Sequence, residues 1–121
     1  MLLNNFFFID TLTLNEGAIE AAIHINTEHE ILKGHFPGQP VVPGVCMTEM
    51  LREVIEDGLK KSLQLESASM IKFLTMFAPP QFTQAIYSIT YKLLDEDRLD
   101  INANLQFEDQ TFMKFRGIYK Y

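Results

Sequence analysis

Apolar and polar residues alternate most regularly between positions 99 and 107. There Leu99, Ile101, Ala103, Leu105 and Phe107 are interleaved with Asp100, Asn102, Asn104 and Gln106. A period of two turns one face of a strand to a core and the other to water. Ile19, Ala21, Ile23 and Ile25 repeat the pattern against Glu20, Ala22, His24 and Asn26. Residues 6–13, rich in Phe and Ile, run into Asn15-Glu16-Gly17, a turn signal, so residues 6–26 are expected to form a hairpin. Runs at 69–78 and 84–94 are also β-rich and are separated by Pro79-Pro80. Asp95-Glu96-Asp97-Arg98 and Glu108-Asp109-Gln110 read as turns, the second leading into a last strand over 111–121.

One stretch has a helical period. Over 45–61, Val45, Met47, Leu51, Val54, Ile55 and Leu59 approximate an apolar stripe. Arg52, Glu53, Glu56, Asp57, Lys60 and Lys61 fill much of the rest, with the basic pair in the last turn, where the helix dipole favours it. The preceding segment, 27–44, is polar and then crowded with Gly and Pro. Pro37, Pro40 and Pro43 suit neither a helix interior nor a central strand, so a loop of constrained shape is expected. One long helix among antiparallel strands predicts an α+β domain whose sheet wraps the helix, a single domain over 1–121.

Charge narrows the partners. Sixteen acids against ten bases give a net charge of −6. That disfavours general nucleic-acid binding, which needs a basic face, and an anionic membrane surface. No run of eighteen apolar residues occurs, and the N-terminal stretch has neither a basic leader nor a small-residue cleavage site. The single cysteine, Cys46, excludes an intrachain disulfide and suits a reducing compartment, so a cytoplasmic protein is expected.

The chemistry is concentrated in one segment, Gly34-His35-Phe36-Pro37-Gly38-Gln39-Pro40-Val41-Val42-Pro43-Gly44-Val45-Cys46-Met47-Thr48-Glu49. It sets a histidine at the head of a Pro/Gly loop, a glycine at a helix start and a carboxylate further into that helix. Histidine serves as a base near neutrality. A carboxyl near an apolar centre can remain a proton donor. The Gly44 N–H, beside the positive end of a helix dipole, can polarise a carbonyl that gains negative charge. Base, acid and oxyanion donor are what elimination across the α and β carbons of a thioester requires.

The segment resembles the signature of the bacterial 3-hydroxyacyl-acyl carrier protein dehydratases of the FabA/FabZ type: His-Phe-Pro-Gly-x-Pro-x-x-Pro-Gly, with an acid five positions after the last Gly. Every position is filled, from His35 through Gly44 to Glu49. Phe6-Phe-Phe-Ile-Asp10 also resembles the family's first strand; beyond residue 65 the likeness is one of pattern. The resemblance implies a hot-dog fold and a homodimer, or a higher multiple of dimers, in which each site takes its His from one chain and its acid from the other. It implies that His35 abstracts the α-proton, that Glu49 of the partner protonates the departing 3-hydroxyl, and that Gly44 N–H holds the thioester oxygen. Phe36 and Val45 are expected to touch substrate. Acyl carrier protein is the expected partner, and no metal or organic cofactor is implied.

The chain departs from that pattern in places. Where the family has Gln four residues after the acid, it has Glu53, one turn beyond Glu49 on the same helical face, so repulsion is expected to raise one of the two pKa values. The family's second Pro/Gly stretch is reduced to Met76-Phe-Ala-Pro-Pro-Gln-Phe-Thr83. Two other readings stay open: a hot-dog acyl thioesterase, and a non-catalytic acyl-binding subunit. Other candidates are plainer. His24 and His29 read as surface residues, Cys46 as a small residue in the first helical turn, and Thr48 as a cap. Lys114, Arg116 and Lys120 alternate with Met113, Phe115 and Tyr119, which suits an exposed sheet face or a local docking patch for an acidic carrier.

Overall fold

In a computed structural model, described over residues 1–34 and 38–121, six antiparallel strands form one sheet over a long helix. The elements are β1 (Phe7–Asn15), β2 (Ala18–Ile25), α1 (Glu30–Gly34), α2 (Gly44–Leu59), β3 (Gln64–Phe73), β4 (Gln84–Leu93), β5 (Arg98–Phe107) and β6 (Gln110–Lys120). Their order across the sheet is β1-β2-β4-β5-β6-β3. The expected hairpin pairs Phe7 with Ile25 and Asn15 with Ala18, and Gly17 turns it at a φ of 76°.

The inner face is the one that alternation marks. Ile19, Ala21, Ile23 and Ile25 of β2 are buried, as are Leu99, Ile101, Ala103 and Leu105 of β5. Met113, Phe115 and Tyr119 of β6 join them, while Lys114, Arg116 and Lys120 face outward. Into this face α2 presses Cys46, Met47, Met50, Leu51, Val54 and Ile55. The Tyr87 hydroxyl, reaching from β4, donates to Met47 O at 2.7 Å and fixes the helix to the sheet.

Several expected boundaries move. The helix ends at Leu59 rather than 61, because Lys60 takes the left-handed conformation (φ 57°) and its N–H closes back on Glu56 O. Lys60 and Lys61 therefore lie beyond the last turn. The loop expected over 27–44 contains the short α1, at whose start His29 Nδ1 accepts the Ile31 N–H, and which is anchored by buried Leu32. The strand expected at 69–78 runs over Gln64–Phe73 instead. As an edge strand it is exposed along almost its whole length, so it shows no alternation to mark its start.

Candidate active site

The Pro-rich segment is tied down before α2 begins. Val42 N–H donates to Phe77 O at 2.8 Å, which brings the segment against the chain just after β3. Pro43 is extended (φ −62°, ψ 147°), and its carbonyl accepts the N–H groups of Cys46 and Met47. No side chain caps the helix, and among the described residues none accepts the N–H of Gly44 or Val45. These donors stand at the positive end of the helix dipole. The Phe73 ring covers Gly44 so closely that a Cβ there would lie 2.7 Å from its Cζ. A groove of about 510 Å³, lined by Val41, Gly44, Val45, Phe73, Leu74 and Met76, opens beside them. A larger hollow of about 960 Å³ lies under Gly38 and Pro40 and shares Thr75 and Met76 with the groove.

Glu49 sits five residues into α2, about 7.5 Å along the axis from Gly44 at the usual rise. It is gripped by Arg52: Arg52 Nε donates to Oε1 at 3.0 Å and a terminal nitrogen donates to Oε2. The other terminal nitrogen of Arg52 donates to Glu56 Oε2 at 2.8 Å, and that oxygen also accepts the Leu63 N–H at 2.7 Å. The Arg52 guanidinium holds the Glu49 carboxyl below the usual carboxylate range. Of the two carboxyls expected to repel each other, the raised pKa falls on the neighbour.

That neighbour is Glu53, which has no solvent exposure. Leu2 N–H donates to both of its oxygens, at 3.0 and 3.1 Å, and Leu3 N–H donates to Oε1 at 2.7 Å. Its carboxyl also lies within hydrogen-bonding reach of Glu49. Burial first, and the Glu49 contact second, push its pKa up against the opposing pull of the two amides. The helical period places position 53 on the buried face with Met50 and Val54; only the residue type suggests the polar side.

The sequence-derived candidates are thus unevenly placed. Gly44 and Glu49 lie on one helix, Gly44 at its head. His35 and Phe36 lie outside the described residues. Val45, expected both on the apolar stripe and in touch with substrate, is 74% exposed, so it lies off the buried stripe, and it lines the groove. Cys46 is buried, which pushes its thiol pKa up, and Thr48 Oγ1 donates to Val45 O. His24 pairs with Asp10 and His29 with Asn5, both at the surface. Arg52, Phe73 and the Leu2–Leu3 amides are additions. Spacing alone points to Arg52, three residues after Glu49 and four before Glu56. Nothing local announces a contact fifty residues away.

Among the described residues no three His, Cys, Asp or Glu side chains gather as metal ligands, and no helix is long and apolar enough to cross a membrane.

Comparison with known proteins agrees with this architecture. A chain of the dehydratase heterocomplex ApeI:P from Xenorhabdus doucetiae superposes with a TM-score of 0.74 at 18% identity, covering 94% of this chain and 97% of that one. A putative thioesterase from Silicibacter sp. TM1040 superposes at 0.64 with 14% identity, over 96% and 78%. The shared fold is the hot-dog fold, six antiparallel strands with one long helix.

Sequence relatives supply the class. The 3-hydroxyacyl-[acyl-carrier-protein] dehydratase FabZ of Janthinobacterium sp. (strain Marseille) is 30% identical over 105 residues, 86% of this chain and 59% of that protein. The FabZ of Haemophilus influenzae (strain 86-028NP) is 26% identical over 117 residues, 93% and 72%. The chain thus spans about three-fifths of the first relative's length. Residues 11–108 match the ApeI-like family, described as ApeI dehydratase, and the chain belongs to that family.

Proposed function

We infer that the chain removes water from 3-hydroxyacyl thioesters on acyl carrier protein, giving trans-2-enoyl thioesters for fatty-acid or related polyene synthesis. The observation that carries this is the head of α2: two N–H donors that no described residue engages, beside an apolar groove, with a carboxyl further along the same helix. The acyl chain lies in the groove and the thioester oxygen at Gly44 N–H. His35 takes the α-proton, and the electrons of that bond form the double bond. The β C–O bond breaks, oxygen leaves with its electron pair and a proton from Glu49, and water departs. The Xenorhabdus structure is of a dehydratase heterocomplex; for this chain we infer a site completed by a second hot-dog chain, a copy of itself in the simplest case.

Arg52 favours a second reading. It keeps Glu49 as a carboxylate, the form that activates water, so a thioesterase remains the competing chemistry. Incubation with a crotonyl thioester and its 3-hydroxy counterpart separates the two. Interconversion supports the dehydratase; release of free thiol without interconversion replaces it with the hydrolase.

A further inference from the structure

A carboxyl in the core needs a partner for its charge or a proton to remove it. Among the described residues the groups around Glu53 and its neighbour Glu49 are few. From α2 come Glu49, Arg52 and Cys46; from the N-terminal segment, the Leu2 and Leu3 amides and the Met1 amino group; from β4 the Tyr87 hydroxyl, committed to Met47 O; from β6, beside Glu49 and Arg52, Tyr119. The cation on α2, Arg52, is bound to Glu49 and Glu56. Glu49 keeps 38% side-chain exposure and Glu53 none, so Glu49 is the member of the pair that reaches solvent and Glu53 stands behind it. Two carboxyls in contact resist double ionisation and share a proton.

On that geometry we propose that Glu53 is a positioning residue for the acid, holding behind Glu49 the proton that Glu49 delivers to the departing 3-hydroxyl. The inference deepens the dehydratase reading and rests on Glu49 as its acid. In the resting pair the proton is on Glu53 and is donated in a hydrogen bond to the Glu49 carboxylate. As the C–O bond breaks, its electrons leave with oxygen, which takes a proton through Glu49 as Glu49 takes that of Glu53. His35 ends with the α-proton, and Glu53 ends as a carboxylate held by the Leu2 and Leu3 amides. Solvent returns the proton from His35 to the pair before the next turnover. The arrangement answers a problem that Arg52 creates, since a carboxylate locked in an ion pair has no proton to give.

Glu53→Gln is the test, because glutamine keeps an oxygen for the Leu2 and Leu3 amides. The expected loss is about 10–100-fold in kcat near neutrality with KM little changed, and the alkaline limb of the pH profile moves to lower pH. Adding Arg52→Leu to Glu53→Gln should restore much of kcat, because Glu49 then takes a proton more readily. NMR of carboxyl-labelled glutamate gives a readout without turnover: Glu53 titrates above ordinary glutamate, and Glu49→Gln lowers its midpoint. Unchanged kcat and limbs in Glu53→Gln, with Glu49→Gln inactive, overturns the relay and leaves the dehydratase intact. Carboxyl midpoints indifferent to each other's substitution overturn the shared proton whatever the enzyme does. Absence of any dehydration by the native chain defeats the function itself, and the relay with it.

Discussion

The Phe73 ring lies across Gly44, the first residue of α2, leaving no room for a Cβ. The ring is half exposed and forms one wall of the groove, so it can yield, but only into the space proposed for the acyl chain. Gly44→Ala is therefore expected to cost about 1–3 kcal/mol in stability from overpacking and to lower kcat/KM. The double variant Gly44→Ala/Phe73→Ala should recover stability and part of the activity. Thermal melts and steady-state rates on the three variants check this; a double variant no better than Gly44→Ala alone removes the ring from the account.

Glu53 also gives stability a pH signature. Its folded pKa is raised, first by burial and then by Glu49. Between the unfolded value of about 4.3 and that raised value, the folded chain binds more protons, so this contribution is lost as pH rises. Glu49 is displaced the other way, first by Arg52. Its contribution is present above the unfolded value and is lost as pH falls through the folded one. Asp95, held down to about 2 by Arg98, adds to the acid-side loss. Glu53→Gln should flatten the decline on the alkaline side of about 4.3 and leave an acid-side loss in place. Urea titrations across this range measure both slopes; the same alkaline decline in the variant would mean that another group causes it.

How far the sequence reaches depends on what each residue faces. β2 and β5 alternate because each has one buried side, and their register follows. β3 has no such side, so Leu65, Ile71 and Phe73 mark no face and the expected start falls five residues late. Val45 is exposed and Glu53 buried, against their residue types, because helical position decides which side of α2 each occupies. Position 53 is inward by period, and the charge is met by amides from the far end of the chain. The motif locates Gly44 and Glu49, but whether Glu49 is paired depends on Arg52, which belongs to no part of it.

The sheet topology narrows where a second chain can join. β4 is flanked by β2 and β5 and has no free edge. β3 has one, and it exposes Leu65, Ile71 and Phe73, whereas β1 at the opposite edge exposes Leu14. An unpaired edge with exposed apolar side chains is a template for another strand. Ile71→Lys is expected to shift a dimer toward monomer by light scattering and to reduce dehydration in step. A native chain that remains monomeric while dehydrating excludes the shared site.

The most direct measurement of the central claim uses two inactive variants and their mixture. His35→Ala and Glu49→Gln should each lower dehydration by on the order of 10²–10⁴-fold, the usual loss for an acid–base group. If each site takes its histidine from one chain and its acid from the other, co-refolding equal amounts should restore roughly a quarter of native activity. Half of the randomly paired dimers are then mixed, and each of these carries one intact site of its two. Full activity in either single variant would contradict that residue's role, and a mixture no more active than its components would contradict the shared site.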